Sequence, residues 1–204
     1  MKQIPPILMD LPHSFETERL WIRMPLPGDG ESVYEAIQET MDLLKQWMPW
    51  AQTPPSREKT EISVRKAHCK FLEKTDLRFH LYDKKTKVFI GSSGLHQIDW
   101  SVPKFEIGYW CRKSCMGQGY ITEAVRGLTV FAFEILKANR VEIRCDQRNV
   151  RSRKVAERLG YQLEGIFRNF NVSVDNQLEN TCIYAMVPED FHSLSLRKSD
   201  NASI

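Results

Sequence analysis

The strongest constraint on the fold is a change of hydrophobic period in the middle of the chain. Apolar and polar residues alternate between Leu77 and Cys111, in segments near 77–82, 88–98 and 104–111. A period of two is typical of β-strands with one buried face, and the turns between the segments predict an antiparallel meander. On both sides of this stretch apolar residues recur every three or four positions, which predicts helices. The chain is therefore expected to form a mixed α/β domain.

The remaining elements follow from the same two periodicities and from residues that start or stop helices. Ser56 and Asn149 occupy N-cap positions, and Gly160 stands where a left-handed C-cap belongs. In addition to the meander we expect strands at 20–24, 140–145, 161–172 and 178–187, and helices at 29–48, 62–74, 120–138 and 149–159. The total is about seven strands and about four helices in a single domain over residues 1–190, with a flexible tail over 191–204.

Composition excludes several classes of protein. The 204 residues are 42% apolar, which argues against disorder. No stretch has the roughly 18 uncharged apolar residues of a bilayer span, and prolines interrupt the N-terminal stretch MKQIPPILMDLPH, unlike a signal peptide. Five scattered cysteines suit reduced thiols better than a disulfide framework. We therefore expect a cytoplasmic protein.

Neither a metal site nor a nucleic-acid partner is predicted. Cys111 and Cys115 are the only close cysteine pair, and no second Cys/His pair stands at zinc-ligand spacing. The net charge of +3 is mild, and its positive residues concentrate between Arg140 and Arg158 without accompanying aromatic stacking residues.

The stretch CRKSCMGQGYITEA places Gly117 and Gly119 just before a predicted helix. The first amides of a helix have no intrahelical acceptors, and the helix dipole favours an anion there. Glycine lets a bulky phosphate approach these amides closely. A P-loop is excluded because Gly-Lys-Ser/Thr is missing, and a dinucleotide fold because the third glycine is missing. The same spacing also occurs in plain turns, so both interpretations stay open at this point.

Three stretches together resemble the GNAT superfamily of N-acetyltransferases, of the RimJ/RimL type. They are ETERLWIR near the start, FEIGYWCRKSCMGQGYITEA in the middle and RNVRSRKVAERLGYQLEG beyond it, and the likeness covers residues 16–187. The resemblance implies a mixed, mostly antiparallel sheet splayed around the cofactor. It also implies that acetyl-CoA donates an acetyl group to a primary amine, which attacks it directly, and that the glycine turn binds the pyrophosphate.

The resemblance also implies which residues bind acetyl-CoA. They are Trp110, Cys111, Arg112, Gly117, Gln118, Gly119, Tyr120, Ile121, Thr122, Asn149, Arg151, Ser152 and Lys154. Two positions depart from the family pattern, since Met116 replaces a Gln or Arg and Ile121 a small residue. We expect binding to persist, because backbone amides do most of the work and Arg112 or Lys113 compensates in part.

Two residues are candidates for the chemistry. Alternation puts Glu106 on a central strand between apolar neighbours, where a raised pKa would let it act as a base, directly or through water. The competing interpretation makes Glu106 the partner of an arginine. By resemblance, Ser152 protonates or stabilises the leaving thiolate, and Asn149 binds the pantetheine arm, although capping alone would also explain that asparagine. Ala156 replaces the tyrosine that many members use.

Asn171 stands where ribosomal members carry a glutamate, and an amide cannot act as a base. This departure makes Glu106 the favoured base. A cluster of cations on one predicted helix is expected to supply at least one contact to the adenosine 3′-phosphate. Its members are Arg148, Arg151, Arg153, Lys154 and Arg158. Trp47 and Trp50 are expected to line the entrance for the acceptor.

Three functions remain compatible with these residues. We favour acetylation of a protein N-terminal amine, as in ribosomal-protein acetyltransferases, by an enzyme that forms a homodimer. The second is acetylation of an aminoglycoside or polyamine, although the sequence has no strong acidic cluster to bind such cations. The third is a catalytically silent acyl-CoA-binding module that docks on RNA or protein.

Overall fold

A computed structural model describes the chain from residue 5 to residue 200, with side chains as far as residue 194. The described part contains eight strands in one sheet. They are β1 Ser14–Glu16, β2 Leu20–Arg23, β3 Leu77–Asp83, β4 Phe89–Asp99, β5 Lys104–Cys111, β6 Arg140–Asp146, β7 Gln162–Val172 and β8 Leu178–Met186. The α-helices are α1 Gly30–Leu44, α2 Arg57–Glu73, α3 Tyr120–Val130, α4 Val150–Arg158 and α5 Pro188–Asp200.

The sheet has the order β1-β2-β3-β4-β5-β6-β8-β7, and its neighbouring strands run antiparallel except for β5 and β6. This parallel pair is short. Lys104, Phe105 and Glu106 pair with Arg140, Val141 and Glu142, and the pairing then stops although both strands continue. The sheet therefore splits beyond Glu106, and this gap positions the site described below.

The helices cover opposite faces of the sheet. On one face α3 packs over Leu95, Phe105 and Ile107, three of the fully buried side chains of the main core. On the other face α1 and α2 pack over Tyr82 and Phe89 in a second, smaller core. Because side chains alternate along a strand, Glu106, Gly108 and Trp110 lie on the α1–α2 face. That face also carries their partners on β4, His96, Gly94 and Ser92.

Most predicted elements are confirmed, and the terminal residues act as predicted. Ser56 caps α2 by accepting a hydrogen bond from the Lys59 amide, and Asn149 caps α4 in the same way from Ser152. Gly160 follows α4 with φ of 81°. The prediction that the first helix extends to residue 48 is wrong, because α1 ends at Leu44 and a separate 3₁₀ turn follows at Pro49–Ala51.

Two elements were not predicted, so the expected numbers of strands and helices were each one too low. β1 has only three residues, too few to show a period. α5 begins at Pro188, three residues before the start of the predicted tail at residue 191. Phe191 is buried, and its ring stacks on Phe133 with 4.8 Å between the ring centroids. The predicted boundary thus falls within α5, and residues 201–204 lie outside the described residues. No helix in the described part of the chain is long and apolar enough to cross a membrane.

Candidate active site

A cleft of about 1890 Å³ opens where β5 and β6 separate. Two groups of residues line it, and we name them after the two substrates that the family resemblance leads us to expect. The donor half consists of the glycine turn with the start of α3 and the N-terminal end of α4. The acceptor half consists of α1, α2, the segment between them, and the sheet face that carries Arg78, His80, Ser92, His96, Glu106 and Trp110.

The donor half is centred on the predicted glycine turn. Gly117 and Gly119 have φ of 76° and 82°, in the left-handed region that favours glycine. A Cβ added at Gly117 would meet no atom within 4 Å, so the space beside the turn is open. Gly119 is the N-cap of α3, and residues from it to Thr122 line the cleft. Open space beside free amides at a helix N-terminus suits a phosphate group.

Arg19 and Glu123 hold this turn from behind. Glu123 accepts hydrogen bonds from the Arg19 Nε at 2.6 Å, from the Arg19 amide at 2.7 Å and from the Thr17 hydroxyl at 2.6 Å. Arg19 also donates to the Gln118 carbonyl at 2.9 Å and lies over the Tyr120 ring. Burial raises the pKa of Glu123, but the bonds from Thr17 and Arg19 outweigh it and lower that pKa. Sequence reasoning missed this role of Arg19, although ETERLWIR contains it.

Three residues predicted to contact or support the cofactor lie outside the cleft lining. Arg112 donates to Glu39 at 2.5 Å, Lys113 lies 2.8 Å from Asp42, and Gln118 donates to the Ser114 carbonyl. Both cations are paired with carboxylates of α1, and compensation for Met116 by Arg112 or Lys113 stays a prediction. The Met116 sulfur instead lies 4.0 Å from an Arg151 nitrogen.

Two strand-end residues complete the wall beside the turn. Cys111 is buried, and burial raises the pKa of its thiol to about 12, so the thiol stays protonated. Trp110 packs on Phe89 and faces Trp50 across 6.3 Å. Among the described residues no three His, Cys, Asp or Glu side chains come together as metal ligands.

Ser152 lies at the start of α4 and is held by Tyr109 of β5. The Tyr109 hydroxyl donates to the Ser152 carbonyl at 3.1 Å and lies 3.0 Å from its Oγ. Burial raises the pKa of Tyr109, so this hydroxyl stays protonated and orients the serine. Asn149 accepts a hydrogen bond from the Ser152 amide, so it caps α4. Both residues also line the cleft.

The basic residues of α4 separate into two groups. Arg148 donates to Asp146, and Arg153 donates to the Tyr184 hydroxyl. Arg151, Lys154 and Arg158 line the cleft and have no carboxylate within ion-pair distance among the residues described. These three cations are therefore available to an anionic ligand.

Glu106 lies at the floor of the cleft, where the sheet splits. Burial raises its pKa, and Arg144, whose Nε lies 3.5 Å from Oε2, opposes this rise. Both interpretations of this glutamate thus have a structural basis, as a carboxylate with a raised pKa and as the partner of an arginine. Its side chain is 26% exposed, so a ligand in the cleft can reach it.

Aromatic residues form the outer wall of the acceptor half. Trp47, Met48 and Trp50 line the cleft after α1, and Trp50 is 50% exposed. Among the described residues, the lining contains seven Lys and Arg side chains but three Asp and Glu. The cleft is therefore positively charged.

Two carboxylates, Asp146 and Glu179, and two histidines, His80 and His96, line the cleft and were missed by sequence reasoning. Glu179 pairs with Asn171 across β7 and β8, and burial together with Asp146 raises its pKa. His80 is 2% exposed at its side chain and bonds Asp29 at 2.9 Å. His96 bonds Asp76 at 2.7 Å and lies opposite Glu106. Only the strand register brings these residues to the cleft, and no motif marks them.

Comparison with known proteins agrees with this geometry. The family described as "Acetyltransferase (GNAT) domain" matches residues 19–162. A Bacillus subtilis protein named "Putative ribosomal N-acetyltransferase YdaF" is 34% identical over 154 residues, which cover 74% of this chain and 82% of that protein. The ribosomal-protein-serine acetyltransferase of Escherichia coli is 27% identical over 155 residues, covering 76% and 85%.

Among solved structures, RimL in complex with coenzyme A superimposes with a TM-score of 0.78 at 20% identity, covering 84% of this chain and 95% of that one. At this identity the likeness concerns the fold. The split sheet, the glycine turn at a helix N-terminus and the family match over most of the chain agree with one another. The chain therefore belongs to the GNAT family of acetyltransferases and is an acetyl-CoA-dependent N-acetyltransferase.

Proposed function

We propose that this enzyme acetylates the N-terminal amine of a protein or peptide. The observation that carries the proposal is the charge of the cleft, whose lining has seven cationic side chains and three carboxylates. Polyamines and aminoglycosides carry several positive charges, and this lining does not supply the acidic surface that binds such cations. A peptide N-terminus brings one amine on an otherwise neutral or acidic chain. The Escherichia coli relative, named for a ribosomal-protein substrate, supports the same class of acceptor.

We assign acetyl-CoA to the donor half. The amides of the turn from Gly117 to Thr122 bind its pyrophosphate, and the unpaired cations Arg151, Lys154 and Arg158 provide its 3′-phosphate contact. Asn149 and Ser152 line the same cleft as this turn and Glu106. When bound, acetyl-CoA supplies a thioester carbonyl that an amine can attack without a covalent enzyme intermediate.

Ser152 and Glu106 have separate tasks in this proposal. When the Tyr109 hydroxyl donates to Ser152 Oγ, the serine hydrogen is free to bond the sulfur as negative charge develops on it. Glu106 attracts the incoming amine and takes part in the removal of its proton, directly or through water. Trp47 and Trp50 contact the residues that follow the N-terminal amine.

The test uses purified enzyme, acetyl-CoA and a panel of acceptors. The panel contains peptides with free N-termini, the same peptides blocked at the N-terminus but carrying an internal lysine, spermidine and an aminoglycoside. We expect release of free thiol and an acetylated N-terminus, measured by mass spectrometry, with the free peptides alone. Faster turnover of spermidine or the aminoglycoside than of every free peptide would overturn the proposal.

The proposal includes a homodimer in the cytoplasm. β7 is an edge strand with exposed apolar side chains, among them Phe167 at 47% and Val172 at 63%. Antiparallel pairing of two β7 strands about Ile166 sets Glu164 of one copy opposite Arg168 of the other, which is charge-complementary. Light scattering should give the mass of a dimer for the native chain and of a monomer for Ile166→Lys.

The proposed cytoplasmic location is supported by the cysteines, because five free thiols suit a reducing compartment.

A further inference from the structure

His96 is a titratable side chain of the acceptor half that the proposed roles leave unused. It lies on β4 directly opposite Glu106 of β5, on the same face of the sheet. Glycines leave room for its ring, since a Cβ at Gly108 would lie 3.2 Å from its Cδ2 and one at Gly94 only 2.9 Å from its Cε1. The ring is therefore seated on the floor of the cleft, beside the carboxylate that faces the acceptor.

Asp76 fixes the orientation of this imidazole. Its Oδ2 lies 2.7 Å from His96 Nδ1, and its Oδ1 is buried with no hydrogen-bond partner among the described residues. An ionised carboxylate only accepts hydrogen bonds, so Nδ1 carries the proton and Nε2 keeps its lone pair. His96 is also the only cation partner of Asp76 in the described part of the chain. An imidazolium at this position is therefore stabilised by a carboxylate that has no other cation.

We propose that His96 Nε2 accepts the proton that the acceptor amine releases, with Asp76 as its positioning residue. The inference rests on the proposed function. The neutral amine forms a bond to the acetyl carbon as the carbon–sulfur bond breaks, and the nitrogen transfers one proton to Nε2. Coenzyme A leaves as a thiolate that takes a proton from water, and the imidazolium returns its proton to solvent. Glu106 holds the amine beside the imidazole and shares the resulting positive charge.

The arrangement favours His96 over Glu106 as the final proton acceptor. Arg144 lies 3.5 Å from the Glu106 carboxylate and stabilises its ionised form, whereas His96 faces a carboxylate on either side. An imidazole with a free Nε2 lone pair can take up a proton and return it to solvent. The charged groups around the ring are Asp76 before β3, Arg78 on β3, Glu106 on β5 and Arg144 on β6.

The experiment compares four variants by steady-state kinetics with the best peptide of the panel. His96→Gln should lower kcat about 100-fold at neutral pH, with the Kd for acetyl-CoA unchanged. Asp76→Asn should lower kcat about 10-fold and move the acid limb of its pH profile to lower pH, because the imidazolium loses its stabilising charge. Glu106→Gln should lower kcat and raise the KM for the peptide. His68→Gln is the control, since His68 bonds only the Pro25 carbonyl outside the cleft.

A chemical rescue separates catalysis from a structural role. Added imidazole should restore part of the activity of His96→Ala and none of that of Glu106→Gln. Native kcat in His96→Gln beside an inactive Glu106→Gln would overturn the inference and leave Glu106 as the base. Unchanged pH profiles in Asp76→Asn would overturn the positioning role. Absence of turnover by the native enzyme with every amine would instead reject the proposed function itself.

Discussion

The two halves of the cleft are built on different principles. The donor half presents backbone amides, and side chains such as Glu123, Arg19 and Glu39 act from behind by holding the backbone. The acceptor half presents side chains, among them Trp50, His96 and Glu106, which project from the sheet and from the segment after α1. The glycine turn, where the backbone faces the cleft, is expected to tolerate changes of its surface side chains, in contrast to the α4 cations of the same half. In the acceptor half, where side chains face the cleft, replacing any one of these side chains should reduce function.

The largest effect is expected beneath the acceptor half, at Asp29. Its carboxylate accepts hydrogen bonds from Arg23 at 2.6 and 2.7 Å and from the Leu26 amide at 2.9 Å, and lies 2.9 Å from His80 Nδ1. Asp29→Ala leaves the buried Arg23 without its partner and should cost about 3–5 kcal/mol of unfolding free energy. Urea denaturation measures the change. Asp42→Ala, which breaks an exposed pair with Lys113, should leave the midpoint almost unchanged.

The next effect tests the backbone half directly. Gly119→Ala puts a Cβ on a residue with φ of 82° and within 3.4 Å of an Arg19 nitrogen. We expect the Kd for acetyl-CoA to rise about 10-fold, which corresponds to about 1.4 kcal/mol. Met116→Gln, a change of side chain beside the same turn, should leave that Kd within a factor of two. Calorimetric titration measures both, and equal effects would contradict the proposed division of labour.

Trp50→Ala tests the side-chain half. Half of this residue is exposed at the cleft, where its ring faces Trp110. We expect the KM for the peptide to rise about fivefold, since an aromatic surface for the peptide is lost. The Kd for acetyl-CoA should stay at its native value. An equal loss in both constants would show that the two halves are not independent.

Lys154→Ala removes one of the unpaired cations of the donor half. We expect about a fivefold rise in the Kd for acetyl-CoA, and no change when the donor lacks its 3′-phosphate. Arg153→Gln is the matched control on the same helix, because Arg153 is held by Tyr184 and does not line the cleft. A loss that persists with the dephosphorylated donor would assign Lys154 to another part of the ligand.

The smallest effect concerns acid stability. Burial opposes ionisation of Glu39, but hydrogen bonds from Ser114 and Arg112 outweigh it and lower its pKa to about 2. A carboxyl group with a depressed pKa adds stability above its unfolded pKa near 4.5, and this stability is lost as the pH falls toward 2. Glu39→Gln should therefore flatten the dependence of Tm on pH within that window. A native slope in the variant would show that other carboxyl groups carry it.

The predictability of the fold depended on the length of each pattern. The strands from 77 to 111 and the helix caps at Ser56 and Asn149 were predicted because local periodicity and capping set them. β1 was missed because three residues carry no period. The first helix was predicted to reach residue 48 but ends at Leu44. The prediction was too long because the apolar spacing of the helix continues into a separate turn, which packs on the same core.

Within the site, the features that depend on a few neighbouring residues could be predicted from the sequence alone. The glycine turn, the capped start of α4 and the placement of Glu106 on a strand all depend on neighbours within a few residues. The choice among the α4 cations depended on tertiary contacts instead, because Arg153 is withdrawn by Tyr184, a residue 31 positions away. Arg112 is likewise paired with Glu39, which is 73 positions away.

The pairing of His96 with Glu106 shows the physical reason for this division. Both residues lie on strands that the sequence predicts, but which residues face each other depends on the register. Strand β4 contains an irregularity after His96, where Gln97 has φ of 47°. A shift of one residue would turn the imidazole to the other face of the sheet. Local patterns thus determined the strands and the glycine turn, and only packing across the sheet decided which side chains meet in the cleft.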